Sequence, residues 1–139
     1  MMRKQIDVVG AVMLRNGSVL CAQRGPRGAL AGLWEFPGGK IEPGESPRAA
    51  LEREVGEELE CVIAVGDELT STTHAYEFGD VTLTTFWCEI LSGTPKLTEH
   101  SSLRWLAPSQ LGALNWAPAD IPAVELIAAL GTPPELGAQ

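Results

Sequence analysis

The feature that most restricts this chain is a short run of carboxylates that must share one side of a helix. Ser46-Pro47 opens that helix: a serine cap, then a proline at the first helical position, where its missing N–H costs nothing. The pattern runs to about residue 59. At roughly 100° per residue, Glu54, Glu57 and Glu58 fall within an arc of roughly 100°, and Leu51, Val55 and Leu59 fall on the adjoining face. One face therefore packs while its neighbour gathers negative charge. Such like charges repel, and Arg53 is the nearest opposite charge. A divalent cation removes the penalty, because Mg²⁺ takes hard oxygen ligands and is commonly shared between protein carboxylates and substrate phosphates. A fold for this chain must bury the apolar stripe and leave the carboxylates beside a cavity.

Around that helix the sequence predicts strands. Residues 6–14 and 18–24 are apolar and β-branched and flank Arg15-Asn16-Gly17, which reads as a hairpin. The Gly-rich segment 25–33 reads as a loop, Trp34-Glu35-Phe36 as a short strand, and Pro37 to Glu45 as a second loop. Further strands are expected at 61–65, 70–78, 81–91 and 103–106, with a tight reversal at Phe78-Gly79-Asp80 and a brief helical turn from Pro108. Asp120 is expected to cap a final helix through Leu130, packed by Val124, Ile127 and Ala128, and the tail 131–139 is expected to be loose. With no repeat and no linker, the 139 residues read as one domain, 1–139, a mixed sheet with helices packed on it.

Charge excludes some functions. A net charge of -8 and a pI near 4.7 oppose a broad basic surface, so neither nucleic acid nor an anionic membrane is an expected partner. A polyphosphate ligand must then be bridged to the protein by cations. Cys21, Cys61 and Cys88 lack the spacing of a zinc site or the density of a disulfide scaffold, and read as buried thiols in a reducing compartment. No stretch approaches the roughly twenty apolar residues of a membrane span, and the N-terminus lacks a secretory apolar core, so a cytoplasmic location is expected.

Gly39, then Glu45, then Arg53-Glu54-Val55-Gly56-Glu57-Glu58 resembles the Nudix box in residue type and spacing. Background residue frequencies put the chance of those matches at a given start on the order of 10⁻⁸. Two positions depart: Glu60 stands where the box has Gly, and Cys61 where it has an aliphatic. Glu60 must either take a left-handed conformation or let the helix end differently. The likeness covers most of the chain and is nearest to the MutT-like nucleotide hydrolases, especially those acting on CTP and modified dCTP. It implies the Nudix fold, an α+β arrangement with a mixed sheet packed between helices as an α/β/α sandwich.

The resemblance further implies Mg²⁺ or Mn²⁺, with the Gly38 carbonyl, Glu54, Glu57 and Glu58 as ligands. Arg53 would orient the carboxylates, and Gly39 and Glu45 would support the loop and helix. Glu99 matches a loop glutamate that binds metal or acts as general base. The reaction implied is hydrolysis of a nucleoside triphosphate to a monophosphate and pyrophosphate. Arg24 and Lys40 match basic positions near the substrate, and Phe36 and Phe78 are candidates to stack on the base. Asp120 matches the position of a base-reading residue. A carboxylic acid offers one donor and one acceptor only when protonated, which suits cytosine or the altered edge of 8-oxoguanine.

Blander readings stand beside these. Glu99 reads equally as an ordinary loop acid, Asp120 as a helix cap, Phe36 as core, and Arg24 as the end of a strand. His74 and His100 lack the spacing of a histidine metal site and receive no catalytic role, and the four tryptophans are expected to pack the domain. The leading expectation is a cytidine nucleotide pyrophosphohydrolase of nucleotide-pool sanitation, present as a monomer or homodimer. The alternatives are a MutT-type 8-oxo-dGTP diphosphatase, hydrolysis of another nucleoside diphosphate derivative, and a non-catalytic nucleotide-binding Nudix module.

Overall fold

Asn16 and Gly17 both carry positive φ, 51° and 78°, as a two-residue hairpin turn requires. They join β1 (Gln5–Arg15) to β2 (Ser18–Gln23) in a computed structural model that describes residues 3–133. The remaining elements are β3 (Trp34–Glu35), β4 (Gly38–Lys40), α1 (Pro47–Leu59), β5 (Val62–Tyr76), β6 (Gly79–Ser92), β7 (Ser102–Leu106) and α2 (Ile121–Leu130). Short 3-10 turns cover Pro108–Ala113 and Pro118–Asp120.

All the strands join one mixed sheet, ordered β3-β2-β1-β6-β5, with β4 on β1 and β7 on β2. β1 and β6 run parallel from Gln5 opposite Asp80 to Leu14 opposite Glu89, and the other pairings are antiparallel. From Val9 to Leu14 β1 is buried on both faces, which explains the near-continuous apolar run there. Alternate residues serve opposite layers. Val9, Ala11 and Met13 pack with Leu51, Val55 and Leu59 of α1, and Val12 and Leu14 pack with Val124 and Ile127 of α2. The result is the α/β/α sandwich expected above, and all four tryptophans join these two layers.

Several local expectations need correction. The segments read as separate strands at 61–65 and 70–78 form one strand, β5, because the turn-like Gly66-Asp67-Glu68-Leu69 is absorbed as register shifts against β6. The reversal falls at Glu77-Phe78, so Phe78 sits in the turn and Gly79 opens β6. Residues 38–40, read as loop, pair with β1 as β4. Ala128 is exposed, and Ala123 takes its place in the stripe of α2. Asp120 occupies the cap position of α2 but makes no capping bond with its side chain. The tail from residue 134 lies outside the described residues. Glu60 ends α1 in the left-handed conformation (φ 56°, ψ 40°), its N–H donating to the Gly56 carbonyl at 3.2 Å, so the helix stops on time without the glycine. The three cysteines are free and buried, as expected.

Candidate active site

Ser46 caps α1 by accepting from the Ala49 N–H at 3.1 Å, which fixes where the helix starts and hence which way its carboxylates face. Arg53 organises that face. Its Nε and Nη2 grip both oxygens of Glu45 at 2.6 and 2.9 Å, and Nη2 also donates to the Lys40 carbonyl at 3.0 Å. Nη1 donates to Glu54 at 2.8 Å and reaches Glu57 at 3.4 Å. This forked pairing staples β4 and the loop that follows it to the helix. The Arg53 bond holds the Glu45 carboxyl down at about 2, aided by the Glu42 N–H, and Glu45 and Glu54 hold the Arg53 guanidinium well above its ordinary value.

Glycine is required where this loop meets the sheet. A Cβ on Gly38 would collide with the Val9 carbonyl, and one on Gly39 would collide with the Glu54 carboxylate. The loop and helix therefore approach as closely as backbone and carboxylate allow. Glu57 is 60% exposed, while Glu58 is half-buried with Oε1 lacking any partner. Burial pushes the Glu58 carboxyl up to about 8; His100 opposes that shift, and the charges of Glu54, Glu35 and Glu99 add to it.

The segment between β6 and β7 docks on the end of α1. Lys96 N–H donates to the Leu59 carbonyl at 3.0 Å, and the Thr98 hydroxyl donates to the Glu58 carbonyl. That brings Glu99, itself exposed, and His100 towards Glu58. His100 is 7% exposed and its Nε2 lies 3.0 Å from Glu35 Oε2. Glu35 Oε1 accepts from Arg24 at 3.0 Å. Burial alone would lower the His100 pKa, but the Glu35 bond and charge, with Glu58, raise it above its ordinary value.

A cavity of about 330 Å³ opens beside these groups. Gly38, Gly39, Lys40, Asp120, Ala119 and Tyr76 all line it, and Arg24 and Glu35 also border it. Asp120 is 6% exposed and accepts from the Phe36 N–H at 3.0 Å. Burial raises its carboxyl to about 8, against the Phe36 bond and Arg24, so near neutrality it retains a proton to donate. Tyr76 accepts from the Ala119 N–H at 2.9 Å and stacks on Phe78, with centroids 4.9 Å apart and planes 8° apart. Phe78 is 44% exposed and offers a free aromatic surface. Phe36 lines the cavity, but it is 3% exposed and its ring packs in the core against Trp116, with centroids 4.8 Å apart.

Residues 8–126 match the NUDIX domain family, nearly the whole of the described chain. The chain belongs to the Nudix family. A CTP pyrophosphohydrolase of Escherichia coli strain K12 is 41% identical over 127 residues, spanning 91% of this chain and 94% of that protein. An 8-oxo-dGTP diphosphatase of the same strain is 32% identical over 128 residues, spanning 88% and 95%. The solution structure of a MutT protein of the Nudix hydrolase family from methicillin-resistant Staphylococcus aureus 252 is 49% identical, with a TM-score of 0.77, covering 94% of this chain and 100% of that one.

Within this Nudix fold the sequence-derived residues divide. Gly38, Gly39, Glu45, Arg53, Glu54, Glu57 and Glu58 gather where loop and helix meet, while Arg24, Lys40, Phe36, Phe78 and Asp120 border the cavity. Among the described residues no three His, Cys, Asp or Glu side chains form a closed coordination cluster. Arg53 instead pairs with Glu54 at 2.8 Å and reaches Glu57 at 3.4 Å. The donor set nevertheless suits a hard divalent ion, since it consists of carboxylate oxygens, one of them buried without a partner. Sequence reasoning missed Glu35, Tyr76 and His100. A charged residue between two aromatics in a strand, and the chain's single tyrosine, were the available signals for the first two. His100 offered none.

Proposed function

We propose that this Nudix protein is a Mg²⁺- or Mn²⁺-dependent nucleoside triphosphate pyrophosphohydrolase acting on CTP, dCTP or a 5-substituted dCTP in nucleotide-pool sanitation. One observation carries the reading: a single cavity joins the Gly38-Gly39 rim beside the glutamate helix to the buried Asp120 carboxyl. The glycine rim would take the phosphates and Asp120 the base. Glu54, Glu57, Glu58 and the Gly38 carbonyl are the oxygens that would hold the ion, with Glu99 as a further ligand or as the base that takes the proton of the attacking water. Such an ion would lower the pKa of a bound water and neutralise charge developing on phosphoryl oxygens.

The chain's own residues do the rest. Arg53 keeps Glu54 against the loop, Lys40 meets phosphate, and Phe78, held by Tyr76, offers a stacking face. Asp120 donates its proton to the ring acceptor of cytosine and accepts from the adjacent amine, whereas guanine presents two donors there. The 8-oxo-dGTP reading is favoured by the second relative above and by the altered edge of that base.

Comparing kcat/KM for CTP, dCTP, 5-methyl-dCTP, dGTP and 8-oxo-dGTP tests the choice. Cytidine nucleotides are expected to lead, and a lead of about tenfold for 8-oxo-dGTP transfers the assignment to the second reading. In the same assay Glu57→Gln should fold normally and lose most turnover. An undiminished rate would remove the helix carboxylates from the chemistry.

A further inference from the structure

We propose that His100 is a positioning residue: with Arg24 it locks the Glu35 carboxylate beside the cavity, and through that lock it sets where Glu58 lies. The inference rests on the reading above in taking Glu58 as a metal-holding oxygen.

The geometry is specific. Both oxygens of Glu35 are committed, Oε1 to Arg24 at 3.0 Å and Oε2 to His100 Nε2 at 3.0 Å, so the carboxylate is held at both ends. The three residues come from separate parts of the chain that are stitched together by backbone. Arg24 N–H donates to the Leu33 carbonyl at 2.9 Å, Ser101 N–H donates to the Gln23 carbonyl at 2.9 Å, and the Ser101 hydroxyl donates to the Arg24 carbonyl at 3.2 Å. Ser101 thus ties His100's end of the 93–101 segment to β2 and to Arg24 just beyond it.

Three buried polar atoms remain without a partner at this place, Nε of Arg24, Nδ1 of His100 and Oε1 of Glu58. Glu58 lies within electrostatic reach of both His100 and Glu35. Buried polar atoms are rarely left unpaired where packing alone is at stake, and such exceptions concentrate where a ligand or reaction uses them. A purely structural histidine would need only the Glu35 bond. Here the ring holds one carboxylate in place, and the Thr98 hydroxyl bond to the Glu58 carbonyl carries His100 to the end of α1, where its charge and that of Glu35 both act on Glu58. Groups that orient a metal-holding carboxylate typically govern metal affinity as well as rate.

Two substitutions separate positioning from packing. His100→Leu keeps an apolar volume and removes both ring nitrogens, whereas His100→Gln restores an N–H near Nε2. Each protein is melted, titrated with Mn²⁺ by calorimetry, and assayed for kcat and KM with Mg²⁺. The leucine protein should melt cooperatively, hold KM within about twofold, and lose about tenfold in both kcat and Mn²⁺ affinity, with glutamine recovering most of both losses. A folded leucine protein with unchanged kcat and Mn²⁺ affinity overturns the proposal, as does an equal loss in the two variants. If leucine prevents folding, Glu35→Gln replaces it: its Mn²⁺ affinity must fall about tenfold while that of His100→Gln stays near wild type, and any other result overturns the proposal. Failure of the parent reading looks different. Wild-type protein would release pyrophosphate from no triphosphate, while the Mn²⁺ comparison would still decide the role of His100.

Discussion

Asp120 shows how one buried group sets both recognition and a dependence on pH. Folding removes its carboxyl from water, so the native state retains the proton up to about 8, whereas the unfolded chain releases it near the ordinary 3.8. For an acid shifted upwards, the native state binds more protons than the unfolded state between those two values, and stability falls as pH rises. The contribution is complete below the ordinary value and is lost as pH passes the native one. Asp120→Asn removes this titration while keeping the shape and an acceptor for the Phe36 N–H. Measured by urea unfolding at pH 5, 7 and 9, the stability of wild type relative to the asparagine protein should decline steadily. A difference that does not change with pH would mean that the carboxyl ionises as freely as in water. Base reading by a protonated acid would then lose its basis.

At the scale of elements, α1 was legible because its signals are local. Its cap, its proline and its apolar stripe lie within a few residues of one another, and Ala50, Leu51, Val55 and Leu59 are buried as the helical period requires. β4 was not legible, since Gly38 and Gly39 carry no side-chain pattern and the strand exists only because β1 lies beside it. The break in β5 was misread because Gly-Asp signals a turn and a bulge alike. Two predictions belong here. Glu60→Gly relieves a left-handed residue at the end of α1 and should stabilise the fold by about 0.5–1 kcal/mol in denaturant titration, the unfolded chain's greater freedom offsetting part of the gain. A destabilised variant would show that the Lys96–Glu60 contact at 3.2 Å outweighs the strain. Gly38→Ala and Gly39→Ala should then part company. The first forces backbone against the Val9 carbonyl and should lower Tm sharply, while the second meets only the movable Glu54 side chain and should keep Tm but lose turnover. Equal effects on Tm would show that the two glycines play one structural part.

For the whole molecule, what the sequence withheld is long-range. Glu35 and His100 are 65 residues apart and Phe36 and Asp120 are 84 apart; the pairing of β2 with β3 and β7 brings the first pair together, and the backbone bonds of Trp34 to Asn115 and Ala117 bring the second. That assembly leaves an acidic protein facing an anionic substrate. With a net charge of -8, the molecule repels a free triphosphate at distances up to the Debye length, about 8 Å at physiological ionic strength. Lys4, Arg24 and Lys40 are the cations that line the cavity among the described residues, and Arg24 is already paired with Glu35. The remaining positive charge falls short of a polyphosphate, so the nucleotide should bind as its divalent complex. Calorimetry with CTP in chelator should give an affinity weaker by about tenfold or more than with a few millimolar Mg²⁺, a difference of about 1.4 kcal/mol or more. Added monovalent salt at equal ionic strength should not recover it, because screening reduces repulsion without supplying a shared ligand. If salt recovered the affinity in full, long-range repulsion would be the whole of the barrier, and the helix carboxylates would have no part in holding the nucleotide.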